Sequence, residues 1–150
     1  MTIPEKDNTK SIFFGTKKGV VKRVMVSEFK SGRSGITALK LREDDEIVAS
    51  LLTSDEDSIF IATRKGKTIQ FNVTDVRPMG RVATGVKGVT LESADEVVSL
   101  EVIKTSSQIL TVTTLGYGKC TAIEEYRVQS RGGKGLKLMK VTAKTGLITG

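Results

Sequence analysis

Apolar and polar residues alternate in short runs along most of this chain. Ser58-Ile59-Phe60-Ile61-Ala62-Thr63 and Thr68-Ile69-Gln70-Phe71-Asn72-Val73 are rich in β-branched and aromatic residues and flank a short glycine-containing connection, 64–67. That is the local code of a β-hairpin. No window sustains apolar residues at i, i+3, i+4 and i+7 for more than a turn or two, so the pattern predicts strands and no long helix.

The pattern also repeats. IFFGTKKG (12–19), IFIATRKG (59–66) and ILTVTTLG (109–116) each place a strand before a Thr-x-x-Gly turn. Glycine at 19, 66 and 116 supplies the positive φ that a tight hairpin connection demands. A second apolar segment follows each turn, then a loop with Gly-x-x-Gly: GRSG (32–35), GVKG (85–88) and GGKG (132–135). A short strand, ITALKL, VTLE or LKLMKV, is expected after each last glycine. A further strand follows, DEIVASLL (45–52) and DEVVSLEV (95–102), and TGLITG begins its third counterpart. The period of about 47 to 53 residues is that of a four-stranded propeller-like blade. The fold class is therefore all-β and propeller-like, with three four-stranded repeats at about 11–57, 58–106 and 107–150. Residues 1–10 are expected to be loosely ordered. Closed propellers have about four to eight blades, so three repeats read as a fragment of a larger disc with an open strand edge, and self-association through that edge is expected.

Composition narrows the chemistry. The chain contains no histidine and one cysteine, Cys120, which leaves no Ser-His or Cys-His pair, no histidine metal ligand and no internal disulfide. Enzymatic chemistry is disfavoured, and no metal or cofactor site is expected. No apolar run is long enough to span a bilayer, and the first ten residues hold no apolar signal core, so a cytoplasmic location and no membrane partner are expected. Asp44, Asp45 and Glu46 lack the spacing of a calcium loop and read as a solvated turn. Glu124 and Glu125 are adjacent, so an extended backbone points them to opposite faces. Tyr117 and Tyr126 read as packing or rim residues, and Cys120 as a small buried hydrophobe.

The net charge of +7 is distributed in blocks. Residues 10–42 hold nine basic and one acidic residue, 43–57 seven acidic and none basic, and 58–90 six basic and one acidic; 91–101 hold four acidic and none basic, and 102–150 eight basic and two acidic. Around an axis, such repetition predicts a basic rim and a separate acidic zone, the footprint of a polyanion track. A single lysine needs no explanation beyond solubility, but a mixed-sign surface would suffice for that, so the recurrence favours nucleic acid. Phe13, Phe14, Phe60 and Phe71 lie in strand patterns and are expected in the core, which favours a duplex backbone over stacked single strands.

The segment QSRGGKG (129–135) concentrates this character. Arg131 and Lys134 can neutralise phosphates, Gln129 and Ser130 can hydrogen-bond phosphate or sugar oxygens, and Gly132, Gly133 and Gly135 remove the Cβ atoms that would hold backbone N–H groups off an anion. GxxxxGK[ST] is absent, so this is not a P-loop. Arg33 and Lys87 occupy the counterpart loops. Lys17, Lys18, Arg64, Lys65 and Lys119, at the hairpins, complete the candidate contacts.

QSRGGKG resembles the box Gln-Arg-Arg-Gly-Gly-Lys-Gly of the C-terminal domain of the bacterial DNA gyrase A protein. IFFGTKKGVVKRVMVSEF, FIATRKGKTIQF, DVRPMGRVATGVKGVTL, DEVVSLEV, ILTVTTLGYGKCTAIEEY and TGLITG are similar to blades of that domain, from about Ser11 to Gly150. The resemblance implies a β-pinwheel whose blades exchange strands and whose basic perimeter wraps duplex DNA, supporting negative supercoiling by an ATP-dependent type II topoisomerase. It implies no catalysis by these repeats themselves: ATP and magnesium would act in other domains. The implied partners are DNA, the rest of the gyrase A protein and the gyrase B protein, in a bacterial cytoplasm at the nucleoid. Ser130 replaces the first arginine of the box. The family's principal box lies in the first blade, while these segments resemble later ones, so this copy reads as secondary. The C-terminal domain of topoisomerase IV and a propeller-like protein-interaction scaffold are the alternative readings.

Overall fold

The computed structural model describes residues 1–3, 8–30 and 34–150. Within them the strands are β1 (Ser11–Thr16), β2 (Val20–Met25), β3 (Ile47–Thr53), β4 (Ser58–Thr63), β5 (Lys67–Asn72), β6 (Val86–Lys87), β7 (Val97–Ile103), β8 (Gln108–Val112), β9 (Gly118–Ala122) and β10 (Leu136–Lys137). The described helical elements are single 3₁₀ turns at Val26–Phe29, Val73–Asp75 and Ile123–Glu125, one after each hairpin. The chain is all-β, as its alternation dictates.

Each four-stranded sheet mixes two repeats. The first has the order β3-β1-β2-β6 and the second β10-β5-β4-β7, while β8 and β9 pair alone. All pairings between these strands are antiparallel, and β6 and β10 come from the repeat after the one whose hairpin they join. The four-stranded plan thus holds for two blades. The third has its hairpin, an isolated bridge from Thr113 to Ile148, and no outer strand among the described residues. β3 and β7 pack on each other at the inner side, so β6 and β10 form the perimeter.

Strand alternation sends successive side chains to opposite faces, and each face becomes one wall of an interblade core. Phe13 and Val21 of the first blade are buried with Ile59, Ile61, Ile69 and Phe71 of the second, with the rings of Phe13 and Phe71 6.2 Å apart. Phe60 and Ala62 on the opposite face of β4 are buried with Ile123, Tyr126 and Leu138, and Tyr126 sits edge-on to Phe60 at 5.4 Å. Full burial of such a side chain contributes about 1.5–3 kcal/mol. The four strand phenylalanines are core residues.

Several sequence expectations change. No strand forms over 36–41, and β6 lies inside GVKG rather than in the VTLE that follows it. Cys120 is exposed, on the face that Arg23 and Gln70 occupy in the first two hairpins, which nothing among the described residues covers in the third. Asp45 is buried rather than solvated. Part of the 1–10 segment, residues 4–7, lies outside the described residues.

Candidate nucleic-acid interface

At the Thr-x-x-Gly turns most of the cations are already engaged. The Asp45 carboxylate accepts from the Thr16 hydroxyl at 2.7 Å and from the Lys18 and Glu46 amides, each at 2.9 Å. Asp95 repeats the arrangement one blade later, accepting from the Lys65 and Glu96 amides at 2.9 Å. These carboxylates stitch the hairpin turn to the turn that precedes the inner strand. The side chains then pair: Lys17 lies 3.5 Å from Glu46 and 3.6 Å from Glu96, and Arg64 bonds Glu96 at 2.6 Å. The Arg64 hydrogen bond foremost, with the nearby charges of Lys17 and Arg64 outweighing the opposing effect of burial, holds the Glu96 carboxyl below the usual carboxylate range. Lys18 donates to the Glu43 carbonyl at 2.8 Å and Lys65 to that of Ser93. Solvent-exposed pairs of this kind add little stability, but they cancel the local field. Separate basic and acidic zones therefore do not form at these turns. In the third repeat Thr114 and Leu115 replace the basic pair, and Leu147 accepts the Thr114 amide as Glu46 accepts that of Lys17. Cation and anion disappear together.

The box loop is built differently from its sequence reading. The Arg131 Nε donates to the Asp75 carbonyl at 2.9 Å and its Nη1 to the Lys87 carbonyl at 3.1 Å, so this arginine clamps the loop onto the preceding repeat. Gly132 takes φ +85° and gives its N–H to Gly88 O at 2.6 Å. That amide is not free for an anion. Gly135, at φ +74°, approaches Thr68 so closely that a Cβ would lie 2.2 Å from the Thr68 carbonyl oxygen. These glycines serve close passage of the loop against its own fold. Gln129 gives its N–H to the Gln70 carbonyl at 2.7 Å, and Ser130 and Lys134 are exposed. Arg33 lies outside the described residues.

The true counterpart of QSRGGKG is MGRVATG (79–85), not GVKG. Met79 gives its N–H to Arg23 O as Gln129 does to Gln70 O. Arg81 donates to the Thr37 carbonyl at 3.0 Å, as Arg131 does to that of Lys87. Gly85, at φ +101°, passes the Val21 carbonyl as Gly135 passes that of Thr68, a Cβ there lying 2.5 Å from the oxygen. Positions 77 and 127, 81 and 131, and 85 and 135 carry Arg, Arg and Gly at one constant offset. That offset was the signal available for Arg77, Arg81 and Arg127, which Gly-x-x-Gly spacing obscures. Replacing Arg131 with alanine is expected to lower unfolding free energy by about 1–2 kcal/mol, since two hydrogen bonds from a charged donor are lost at a partly exposed site. Lys134→Ala should stay within about 0.5 kcal/mol. Urea titration of the two variants checks this, in place of the expectation that both residues are surface contacts alone.

Lys40, Arg42, Lys104 and Lys144 are exposed without a side-chain partner among the described residues, and seven further such cations lie along the perimeter. Lys87 is on β6, Lys137 on β10 and Lys119 on β9, with Lys134, Lys140, Arg77 and Arg127 in the flanking loops. All seven are exposed, and none has an ion pair or side-chain hydrogen bond among the described residues. Lys119, Lys137 and Lys140 line one open groove with Leu138 and Met139, between the third hairpin and the outer edge of the second blade. Lys119 holds the register position of Lys22: one faces Thr111 across its hairpin, the other Phe14. Yet Lys22 is fully buried, and its ammonium donates to the carbonyls of Ala38 at 3.2 Å, Ala83 at 2.8 Å and Arg81. Burial, and then the charge of Arg81, lowers its pKa below the ordinary lysine value. Lys119 is exposed, and no loop lies over β9 among the described residues.

Known proteins carry the same architecture. The family described as DNA gyrase C-terminal domain, beta-propeller, matches residues 10–54, 57–104 and 107–150. The DNA gyrase A protein of Lawsonia intracellularis (strain PHE/MN1-00) is 46% identical over 154 aligned positions, spanning all of this chain and 19% of that protein. The DNA gyrase A protein of Staphylococcus aureus (strain MRSA252) is 46% identical over 138 positions, 90% of this chain and 16% of that protein. The chain thus spans about a fifth of the length of these curated relatives. The crystal structure of the C-terminal domain of DNA topoisomerase IV superposes with a TM-score of 0.92 at 28% identity, covering 99% of this chain and 48% of that one. A DNA gyrase A C-terminal domain superposes with a TM-score of 0.86 at 22% identity, covering 99% and 54%. With the family match running through all three repeats, the chain belongs to the DNA gyrase C-terminal domain family of β-propellers.

Proposed function

We propose that this chain binds duplex DNA along its outer perimeter, without base specificity, and bends it around the blades as an accessory domain of a type II topoisomerase. The supporting observation is the division of its cations: those of the hairpin turns meet their own carboxylates or carbonyls, while those on β6, β9, β10 and the flanking loops are exposed and unpaired. A line of ammonium and guanidinium groups on strand edges suits phosphates, and no described helix is long enough to read a groove. Lys87, Lys119, Lys134, Lys137 and Lys140 are the principal contacts in this reading, with Arg77 and Arg127 beside them. Arg131 and the box glycines act by positioning the loop. Curvature of the bound duplex would bias a partner enzyme toward negative supercoiling, with the remainder of a gyrase A protein, the gyrase B protein, ATP and magnesium supplying strand passage in a bacterial cytoplasm.

Fluorescence anisotropy with random-sequence duplexes tests the binding mode. Affinity should fall linearly in a log–log plot against salt, with a slope of about −0.9 per phosphate neutralised, and ligase-catalysed circularisation of short duplexes should accelerate. Strong preference for one short sequence over scrambled DNA of equal length would overturn this reading. So would salt-sensitive binding to acidic proteins with none to DNA.

A further inference from the structure

We propose that the turn Val82–Thr84 is an oxyanion site for one phosphate, with the Val82 and Thr84 amides as its donors and the buried Lys22 ammonium behind them. Peptide geometry fixes the direction of those donors. No peptide bond among the described residues is cis, and a trans plane holds its C=O and its N–H in opposite directions. The Arg81 carbonyl and the Val82 N–H share one plane, and the Ala83 carbonyl and the Thr84 N–H share another. Both carbonyls accept from the Lys22 ammonium, that of Ala83 at 2.8 Å, so both N–H groups point away from the buried charge. Val82 is 72% exposed, and neither amide has a partner among the described residues. Two outward N–H groups with a full positive charge behind them are the elements of an anion-binding nest.

The charge balance favours the same ligand. Lys22 is fully buried, and burial, then the charge of Arg81, already tells against its ammonium. Yet neither cation has a carboxylate partner among the described residues. A bound anion stabilises both. The counterpart loop 129–135 closes without an ammonium. Ile69 holds the register position of Lys22, Thr90 bonds the carbonyls of Gly132 at 2.7 Å and Gly133 at 2.9 Å, and Gly132 gives its N–H to Gly88 O. Its cation stands at the tip instead, as Lys134 where the earlier loop has Thr84. That loop is flanked by a repeat whose outer strand joins a complete blade, and Gly133 and Lys134 are exposed all the same, so a preceding blade leaves this turn open. On the DNA reading proposed above, the phosphate belongs to the duplex backbone; the site itself rests on the geometry of the loop.

Proton–nitrogen NMR titrations at fixed ionic strength test the site with two probes, inorganic phosphate and a short random-sequence duplex. Both should move the Val82 and Thr84 amide protons downfield in a saturable way. Under phosphate the Gly132 amide, already bonded to Gly88 O, should stay in place. Lys22→Met keeps the length of the side chain without its charge, and should weaken phosphate binding by about tenfold. Lys144→Gln removes the same charge from another exposed turn and should weaken it by less than about twofold. If Lys22→Met does not fold, the wild-type titration decides alone. Val82 and Thr84 amides that ignore phosphate overturn the site, whatever the duplex does, and a folded Lys22→Met that binds phosphate as wild type does overturns the role of the ammonium. Shifts with phosphate and none with the duplex uphold the site and overturn its assignment to DNA.

Discussion

Gly135→Val should lower unfolding free energy by about 4 kcal/mol and the melting temperature by about 10 °C. Two costs combine at this position. The backbone sits at φ +74°, which a β-branched residue adopts only under strain, and the added Cβ would lie 2.2 Å from the Thr68 carbonyl oxygen and 2.9 Å from its carbon. Neither atom is the end of a flexible side chain. The strain can be relieved only by withdrawing the loop, which detaches Leu136 and Lys137 from β5 and uncovers the second blade's outer edge. Gly133→Ala is the matched control. Gly133 has ordinary φ, and its nearest neighbour to an added Cβ is the flexible tip of Ile69 at 3.7 Å, so stability should change by no more than about 0.5 kcal/mol. If the box glycines served an anion rather than the fold, Gly135→Val would instead leave the melting temperature near that of the parent.

The blades were legible because two signals agreed. Alternation in Ile59-Phe60-Ile61 and its counterparts placed apolar side chains on both faces, and glycine at 19, 66 and 116 marked the hairpins. Both depend on residues close in sequence. The partner of an outer strand does not. Nothing local in Val86–Lys87 says that it joins the preceding hairpin rather than its own, because two residues of strand fit either edge equally. Gly-x-x-Gly spacing misled for a related reason. Gly85 ends one loop at positive φ, whereas Gly88 lies past β6 and caps Gly19, so the two glycines of GVKG answer different needs. Alignment on Arg81 and Arg131 restores the register.

The interface was legible in charge but not in address. Lys17 and Arg64 looked as available as Lys87 and Lys137, because composition cannot tell that a turn meets a carboxylate more than thirty residues onward. Lys22 and Lys119 make the same point in one register position. The first is buried under a loop of the next repeat and the second is exposed to solvent, with no local difference to announce it.

In the proposed binding mode the perimeter cations, and not the turn cations, hold DNA. Two fourfold variants of equal charge change separate them: Lys119, Lys134, Lys137 and Lys140 to glutamine on the perimeter, and Lys17, Lys18, Arg64 and Lys65 to glutamine at the turns. Both remove four positive charges, so any effect of net charge alone is shared. Each perimeter lysine is exposed and unpaired, and losing four phosphate contacts should make the log–log salt slope of duplex binding shallower by about 3.6. The turn cations face Glu46, Glu96 and the Glu43 and Ser93 carbonyls, and their removal should alter the slope by less than about one contact, 0.9. Salt slopes of the two variants, measured side by side on one random-sequence duplex, decide it. A large drop for the perimeter set with little for the turn set is the predicted result, and equal drops, or the larger one at the turns, would contradict the account.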